Sequence, residues 1–215
     1  MASELYFDYA TITGRRGKSG THFHAGPARA LAQSLREEGL PRLEAIGGRF
    51  YGLWIAQFGL ASDQLVLMTS WDRQQGVSVS VEETLSSLEA VECIDHHMVV
   101  PTARPKSAEP PRRPGAYVHR WFDVAPRHVD EIVELSATAW ETFESTFEVE
   151  VIGFFLRVVE PSADSTQLML LNWYPSLAAW EASRNFDADP ESKRNFLRRA
   201  ELTTGTRAIT TALLT

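Results

Sequence analysis

The sequence predicts an α+β chain in which two β-α-β-β-α-β units follow one another. Three observations lead to this fold class. A proline-rich segment at residues 101–115 is too polar to fold alone and lies near the middle of the 215 residues. The order of strand-like and helix-like patterns before this segment repeats after it, and Asp63–Trp71 (DQLVLMTSW) parallels Thr166–Trp173 (TQLMLLNW). The predicted domains are therefore residues 1–100 and 116–215, joined by the linker.

The first unit begins with a strand and contains four in all. Four segments are rich in aromatic and β-branched residues, which is typical of strands: residues 5–12, 49–58, 64–71 and 91–100. Gly26-Pro27 opens a helix with proline at its first position, and Gly39 is expected to end it. A second helix is predicted over residues 81–90.

The second unit shows the same order. Its strand-like segments are residues 116–124, 147–159, 166–174 and 207–214. An apolar stripe predicts a long helix over 127–146. Ser176 is expected to cap a helix over 177–184, and Gly205 to close a last helix over 190–202.

The β-α-β-β-α-β order is the ferredoxin-like motif, an antiparallel sheet with helices on one face. Here the strands are apolar on both faces. In the second strand, large apolar residues alternate between the faces: Phe50, Trp54 and Phe58 on one, Tyr51, Leu53 and Ile55 on the other. Each sheet is therefore expected to press its open face on another sheet, and a chain with two copies can do this internally.

Two stretches of the second unit resemble a known family. Tyr117–Val124 (YVHRWFDV), the helix after it, and Leu170–Ser183 (LLNWYPSLAAWEAS) look like bacterial NIPSNAP-like proteins of the dimeric α+β barrel superfamily. The resemblance implies two tandem ferredoxin-like repeats whose antiparallel sheets pair as a dimeric α+β barrel. It implies a range of functions, because the superfamily includes cofactor-independent monooxygenases, polyketide cyclases, isomerases and haem-binding enzymes. No catalytic motif of the family carries over.

Composition limits the classes of partner and the cellular location that we expect for this chain. The net charge of -7 argues against nucleic acid and anionic membranes. No basic-then-apolar leader and no run of membrane-spanning length is seen, so a cytoplasmic protein is expected. The single cysteine, Cys93, excludes an internal disulfide and is expected to be buried. Exposed sheet edges favour a homodimer.

Histidines are the candidate catalytic groups, since imidazole exchanges protons near neutral pH. On a strand, Asp95 and His97 share one face, so the carboxylate could orient the ring; the alternative is a polar strand end near solvent. His119 lies on a strand among aromatic residues, as either a catalytic or a core histidine. The candidate substrate-binding residues are Tyr117, Trp121, Asn172 and Trp173. Packing alone is the alternative for them.

His22 and His24 form an H-x-H pair that a metal ion could use, although no carboxylate partner is obvious and an exposed loop is the simpler interpretation. No nucleotide or dinucleotide motif is present, so no cofactor is expected.

Three functions remain open. The first is a cofactor-independent enzyme (cyclase, isomerase, lyase or monooxygenase) that acts on a small apolar or aromatic compound with histidine acid/base catalysis in a pocket between sheet and helices. The second is a non-catalytic protein that binds a small molecule or serves in assembly. The third is haem binding through a histidine.

Overall fold

The computed structural model describes residues 5–15, 26–160 and 162–214. They form two compact units. The first unit comprises the chain up to Val99 together with Ser107–Arg112 and the C-terminal residues from Ala212. The second comprises Val100–Lys106 and Arg113–Thr211.

The first unit is built on four antiparallel strands. These are β1 (Tyr6–Gly14), β2 (Arg49–Phe58), β3 (Gln64–Trp71) and β4 (Val91–Pro101). Their order across the sheet is β4-β1-β3-β2. This is the ferredoxin-like arrangement that the sequence predicts.

The helices of the first unit differ from the prediction at Gly39 and in the bounds of the helix predicted over 81–90, which is observed at Val77–Ser86. Helix α1 (Gly26–Ser34) continues through a π-helical turn (Leu35–Gly39) into α2 (Leu40–Ala45), so the expectation that Gly39 ends the helix is wrong. A Cβ atom at Gly39 would lie 3.1 Å from Leu88 Cδ1. Glycine therefore allows close packing against the segment after α3 (Val77–Ser86) and does not mark a helix end here.

The second unit repeats the topology. Its strands are β5 (Ala116–Val124), β6 (Glu150–Arg157), β7 (Thr166–Tyr174) and β8 (Thr203–Leu213), in the order β8-β5-β7-β6. Its sheet is antiparallel at β5–β7 and β6–β7. Two ferredoxin-like units in tandem confirm the predicted α+β fold class.

The prediction that Gly205 closes the last helix is wrong. Gly205 lies within β8. A Cβ atom at this position would come 2.5 Å from the Asp123 Oδ2 atom of β5. The glycine therefore permits β8 to approach the Asp123 carboxylate, and the helix ends without it at Leu202.

Three helices cover the second sheet: α4 (Val129–Thr146), α5 (Leu177–Ala182) and α6 (Pro190–Glu201). The predicted N-cap is confirmed, because Ser176 Oγ accepts a hydrogen bond of 3.1 Å from the Ala179 N–H. Asp189 caps α6 by accepting from the Ser192 N–H at 3.1 Å. Its second oxygen accepts from the Thr142 hydroxyl of α4 at 3.0 Å, so α6 is held against α4.

The start of the proline-rich segment is bound to the second unit. The Thr102 N–H donates to the Phe154 carbonyl at 2.8 Å, and the Phe154 N–H donates to the Arg104 carbonyl at 2.9 Å. The Arg104 guanidinium then pairs with Glu144 of α4 at 2.9 Å and lies 5.4 Å from the Trp140 ring centre. The two backbone hydrogen bonds pair residues 102–104 with β6 over a short stretch. The domain boundaries stay a prediction.

Two further expectations concern exposure. Cys93 is exposed, so its predicted burial is wrong; it pairs with Thr13 near the end of β1, where the sheet meets solvent. Within the described ranges, no helix is both long enough and apolar enough to cross a membrane.

Candidate functional site

A cavity of about 450 Å³ lies in the second unit between its helices and its sheet. Strand alternation determines which residues reach it. Val118, Arg120 and Phe122 of β5 point to the cavity, whereas the residues between them point to the opposite face. Most of the wall is apolar or aromatic: Val118, Phe122, Trp140, Phe143, Leu170 and Phe196. The pocket that the sequence predicts between sheet and helices is therefore present, and its walls suit an apolar molecule.

Two polar groups of β7 lie on the cavity floor. Asn172 pairs with Val118 in the sheet register and is buried, with its side-chain amide 3.4 Å from the Tyr174 hydroxyl oxygen. Three threonines of β8, Thr203, Thr204 and Thr206, line another side. The sheet therefore supplies a few fixed hydrogen-bonding groups among apolar walls.

Arg199 of α6 is the most deeply buried cation of the cavity, with 9% of its surface exposed. Its guanidinium carbon lies 4.7 Å from the Phe122 ring centre and 4.6 Å from that of Phe196. Its Nη1 donates to the Ser136 hydroxyl of α4 at 3.1 Å. These contacts fix the guanidinium in place. Burial, reinforced by Arg120 and Arg184, lowers the pKa of Arg199 to about 9.

Two more guanidinium groups line the same cavity. Arg120 lies on β5 and is partly buried; burial and the charge of Arg184 lower its pKa. Arg184 follows α5, donates to the Ser183 hydroxyl at 2.9 Å and lies 6.0 Å from the Trp180 ring centre. The charge of Arg184 lowers the pKa of both Arg120 and Arg199, and that of Arg120 lowers the pKa of Arg199, so the three guanidinium groups repel one another.

The fourth cation, Lys193 of α6, is paired with Asp187 at 2.6 Å on the exposed side. By contrast, none of the described residues that line the cavity is an aspartate or a glutamate. The cavity thus combines apolar walls with an excess of positive charge, although the whole chain carries -7.

The first unit has different side chains at three positions that match residues lining the cavity. The register aligns β1 with β5 and β3 with β7, so that Ala10 matches Arg120, Asp8 matches Val118 and Trp71 matches Tyr174. Trp71 is buried and donates from Nε1 to the Thr69 hydroxyl at 2.9 Å. A bulky indole therefore lies where the second unit has the Tyr174 phenol, and the arginine of β5 has no counterpart on β1.

Of the predicted substrate-binding residues, Asn172 lines the cavity and the other three lie on the opposite face of the sheet. Tyr117 and Trp173 face each other in register. The Tyr117 hydroxyl donates to the Arg113 carbonyl at 2.7 Å, and Trp173 Nε1 donates to the Pro114 carbonyl at 3.0 Å. These two aromatics bind the end of the proline-rich segment.

Trp121 and His119 also lie on that opposite face. Arg207 of β8 packs 5.7 Å from the Trp121 ring centre. His119 is fully buried, with Nε2 3.0 Å from the Thr211 hydroxyl oxygen, and burial lowers its pKa to about 3. A neutral imidazole in this setting matches the core histidine that the sequence left open beside the catalytic one.

Asp95 and His97 are brought together as predicted, but in the first unit. His97 Nε2 lies 3.5 Å from Asp95 Oδ1, and the carboxylate is largely exposed. The structure does not bring either residue into the cavity of the second unit. The catalytic roles of Asp95, His97 and His119 stay predictions.

The metal prediction falls outside the described residues, because His22 and His24 lie in the undescribed segment 16–25. Within the described ranges, no cluster of three or more His, Cys, Asp or Glu side chains is placed to hold a metal ion.

Sequence reasoning missed the arginines. Strand alternation already placed Arg120 on the face opposite to His119, but did not show which face the helices cover. Arg184 and Arg199 belong to different helical segments, and only the packing of those helices brings them to Arg120. The information that was missing is therefore the tertiary packing of these helices on the sheet.

Comparison with known proteins supports the fold. No family model matches the chain, and no curated protein does. Solved structures match over nearly the whole chain. An anthrone oxidase-like protein has 13% identity and a TM-score of 0.65, covering 100% of this chain and 93% of its own. A proposed monooxygenase from Fusobacterium nucleatum has 12% identity and a TM-score of 0.60, covering 100% and 94%.

A haem-binding protein from Thermus thermophilus has 11% identity and a TM-score of 0.53, covering 98% of this chain and 92% of its own. At such identities these likenesses show the fold, that of the ferredoxin-like dimeric α+β barrel proteins, and not the function.

Proposed function

We propose that the chain binds a small, largely apolar organic molecule in the cavity of the second unit. The observation that carries this proposal is the cavity itself, whose volume of about 450 Å³ falls within the range of small-molecule sites. Aromatic walls supply dispersion contacts and hydrophobic burial. Asn172, Tyr174 and the arginines supply directed polar contacts.

A neutral fluorescent probe tests the proposal. N-phenyl-1-naphthylamine brightens in apolar sites, and its fluorescence is titrated with the full chain. Val118→Phe places a phenyl group into the cavity, whereas Val118→Thr keeps the size of valine and serves as the matched control. We expect saturable binding by the wild type and by Val118→Thr, and its loss in Val118→Phe. Unchanged binding by Val118→Phe, folded by circular dichroism, would place the probe elsewhere and reject the cavity.

A cofactor-independent oxidation is the second candidate. Among the reactions that the sequence left open, it is favoured by the name of one structural neighbour, an anthrone oxidase-like protein, together with the aromatic walls of this cavity. The balanced reaction of that substrate class is anthrone + O2 → anthraquinone + H2O. Oxygen uptake with anthrone, above the rate without protein, is the test. Uptake that persists in Val118→Phe would separate the reaction from the cavity.

The histidine part of this candidate has its own test. Neither His97 nor His119 lines the cavity, so each would have to act on the substrate from outside the lining. His119 is also neutral at physiological pH, because burial lowers its pKa to about 3. Full turnover in the double variant His97→Ala/His119→Ala would remove both from the mechanism. Loss of turnover with retained probe binding would support them.

Haem does not fit the described lining of the cavity. Haem iron is held by His, Cys, Met or Tyr. Among the described residues that line the cavity, Tyr174 is the sole member of this set, and it is buried next to Asn172. The proposal therefore uses no haem. The narrower resemblance to NIPSNAP-like proteins, a homodimer and a cytoplasmic location stay predictions.

A further inference from the structure

We propose that the ligand of this cavity is a small organic acid, whose carboxylate lies against Arg120, Arg184 and Arg199 while its apolar part fills the remaining space. The inference rests on the proposed function, since it names the ligand class for the same cavity.

The first argument is the sign of the charge. The chain has 28 acidic and 21 basic residues, yet the described cavity lining contains cations and no carboxylate. Lys193 pairs with Asp187 on the exposed side. The charged side chains of the described lining are therefore all cations, and they define a positive potential inside. A cavity with this lining attracts anions and disfavours cations.

The second argument is the cost of burying Arg199. A buried cation in a folded protein is normally paired with a carboxylate, because desolvation of an unpaired charge is expensive. Among the described residues, no carboxylate pairs with Arg199 or Arg120. Arg199 is instead surrounded by Phe122, Phe196 and the Ser136 hydroxyl, and it is repelled by the other two arginines. An anion supplied from outside would remove this repulsion.

The third argument is that the donors are held in place. The hydrogen bond from Arg199 Nη1 to Ser136 uses one of the five N–H groups of a guanidinium. Two phenyl rings fix the plane of the remaining donors, so little side-chain freedom is lost when a ligand binds. A planar guanidinium matches a carboxylate in a two-point hydrogen bond.

The apolar walls define the rest of the ligand. Phe122, Phe143 and Leu170 offer no hydrogen-bonding groups, so this part of the wall suits the apolar part of a ligand and not the hydroxyl-rich surface of a sugar. An aromatic or branched aliphatic acid satisfies both halves of the cavity.

Three probes that share one naphthalene ring system test the charge requirement. Isothermal titration calorimetry on the full chain compares 2-naphthoate, its neutral amide 2-naphthamide and 2-naphthyl phosphate at constant pH and ionic strength. We expect 2-naphthoate to bind about ten-fold more tightly than 2-naphthamide, the effect of one charge-assisted hydrogen bond. Arg120→Met and Arg184→Met should each reduce this preference several-fold, with a larger loss of affinity for 2-naphthoate than for 2-naphthamide.

The control is Arg198→Met. Arg198 is the neighbour of Arg199 on α6, is about half exposed, and pairs with Glu131 and Glu201 away from the cavity. The Arg198→Met variant removes one positive charge from α6 outside the cavity, so its preference for 2-naphthoate should persist.

Each other outcome overturns the inference in a different way. Equal affinity for acid and amide would reject an anionic ligand but retain the cavity. A preference that survives both cavity variants would reject the arginines as its cause, and a strong preference for 2-naphthyl phosphate would reject the carboxylate. If N-phenyl-1-naphthylamine binds and 2-naphthoate does not displace it, the inference fails and the proposed function stands. If the neutral probe does not bind either, both fail.

Discussion

The Asp8 carboxylate and the His96 imidazole form a buried pair on one face of the first sheet, with Oδ2 and Nδ1 2.8 Å apart. The residues share a face because Ala10, two positions from Asp8, lies directly opposite His96 in the register of β1 and β4. The hydrogen bond to Asp8 raises the pKa of His96, and the charges of Glu82 and Asp95 act in the same direction. Burial raises the pKa of Asp8, and His96 opposes that effect.

Removing one partner of this pair should destabilise the chain strongly. His96→Phe leaves the Asp8 carboxylate buried without its imidazole, and we expect a loss of about 3 kcal/mol in the free energy of unfolding. The double variant Asp8→Val/His96→Phe should recover most of this loss, because valine occupies the matching position, Val118, in the second unit. Urea unfolding of both variants measures the difference. Equal stability of the single and double variants would show that the unpaired Asp8 carboxylate does not destabilise the fold.

The same pair predicts a pH dependence. Because the folded-state pKa of His96 is raised above its unfolded value near 6.5, the stabilisation by the protonated ring is complete below that value. It is lost as the pH rises through the folded-state pKa. The stability advantage of the wild type over Asp8→Val/His96→Phe should therefore shrink over the pH range that begins near 6.5 and extends upwards through the raised folded-state pKa. Urea midpoints measured across this range test it, and an advantage that grows with pH would contradict the assignment.

Glycines at equivalent bulges of the two units predict a second stability effect. A Cβ atom at Gly52 would lie 2.1 Å from the Trp54 ring, and one at Gly153 would lie 2.3 Å from the Phe155 ring. Each aromatic ring therefore covers the glycine two positions before it, next to a register shift in the sheet. Gly153→Ala should lower the free energy of unfolding by about 2 kcal/mol, because the buried Phe155 ring must move.

Gly26 supplies the control for that substitution. It lies in α1, and a Cβ atom there would have no neighbour within 4 Å. Gly26→Ala should lower stability by no more than about 1 kcal/mol, since the added methyl group meets no neighbouring atom and the only cost is that alanine is a poorer N-cap than glycine. Thermal unfolding of the two variants side by side measures the contrast. Tolerance of alanine at Gly153 would show that the Phe155 ring has other room.

These glycines also show why sequence reasoning succeeded for strands and failed at certain breaks. The segments 49–58, 64–71, 116–124 and 166–174 were predicted with the bounds that the structure has, since alternation and β-branched residues report strands locally. Gly39 and Gly205 were assigned to helix ends because glycine is common there. Their actual neighbours, Leu88 and Asp123, are distant in sequence, so no local pattern could identify them.

The site shows the same division. Alternation along β5 places Tyr117, His119 and Trp121 on one face of the strand, and the structure buries all three. Asn172 lines the cavity, and its role in binding a substrate stays a prediction. Arg199 could not be predicted, because a charged residue on a polar helix is ordinarily exposed and only the packing of α6 on α4 buries it.

The last prediction concerns the cost of the arginine cluster. If Arg120, Arg184 and Arg199 serve a ligand, they should oppose folding without it, because like charges are held together in a partly desolvated cavity. Arg120→Met keeps an unbranched apolar chain and removes one charge, so we expect the ligand-free protein to gain about 1 kcal/mol in the free energy of unfolding. Arg198→Met, which loses exposed ion pairs, should cost no more than about 1 kcal/mol.

Urea unfolding at two ionic strengths measures both changes. The gain from Arg120→Met should diminish at high salt, since screening already weakens the repulsion in the wild type. A loss of stability in Arg120→Met would show instead that the guanidinium contributes to the fold through its own contacts, and would remove the energetic reason to expect an anion beside it.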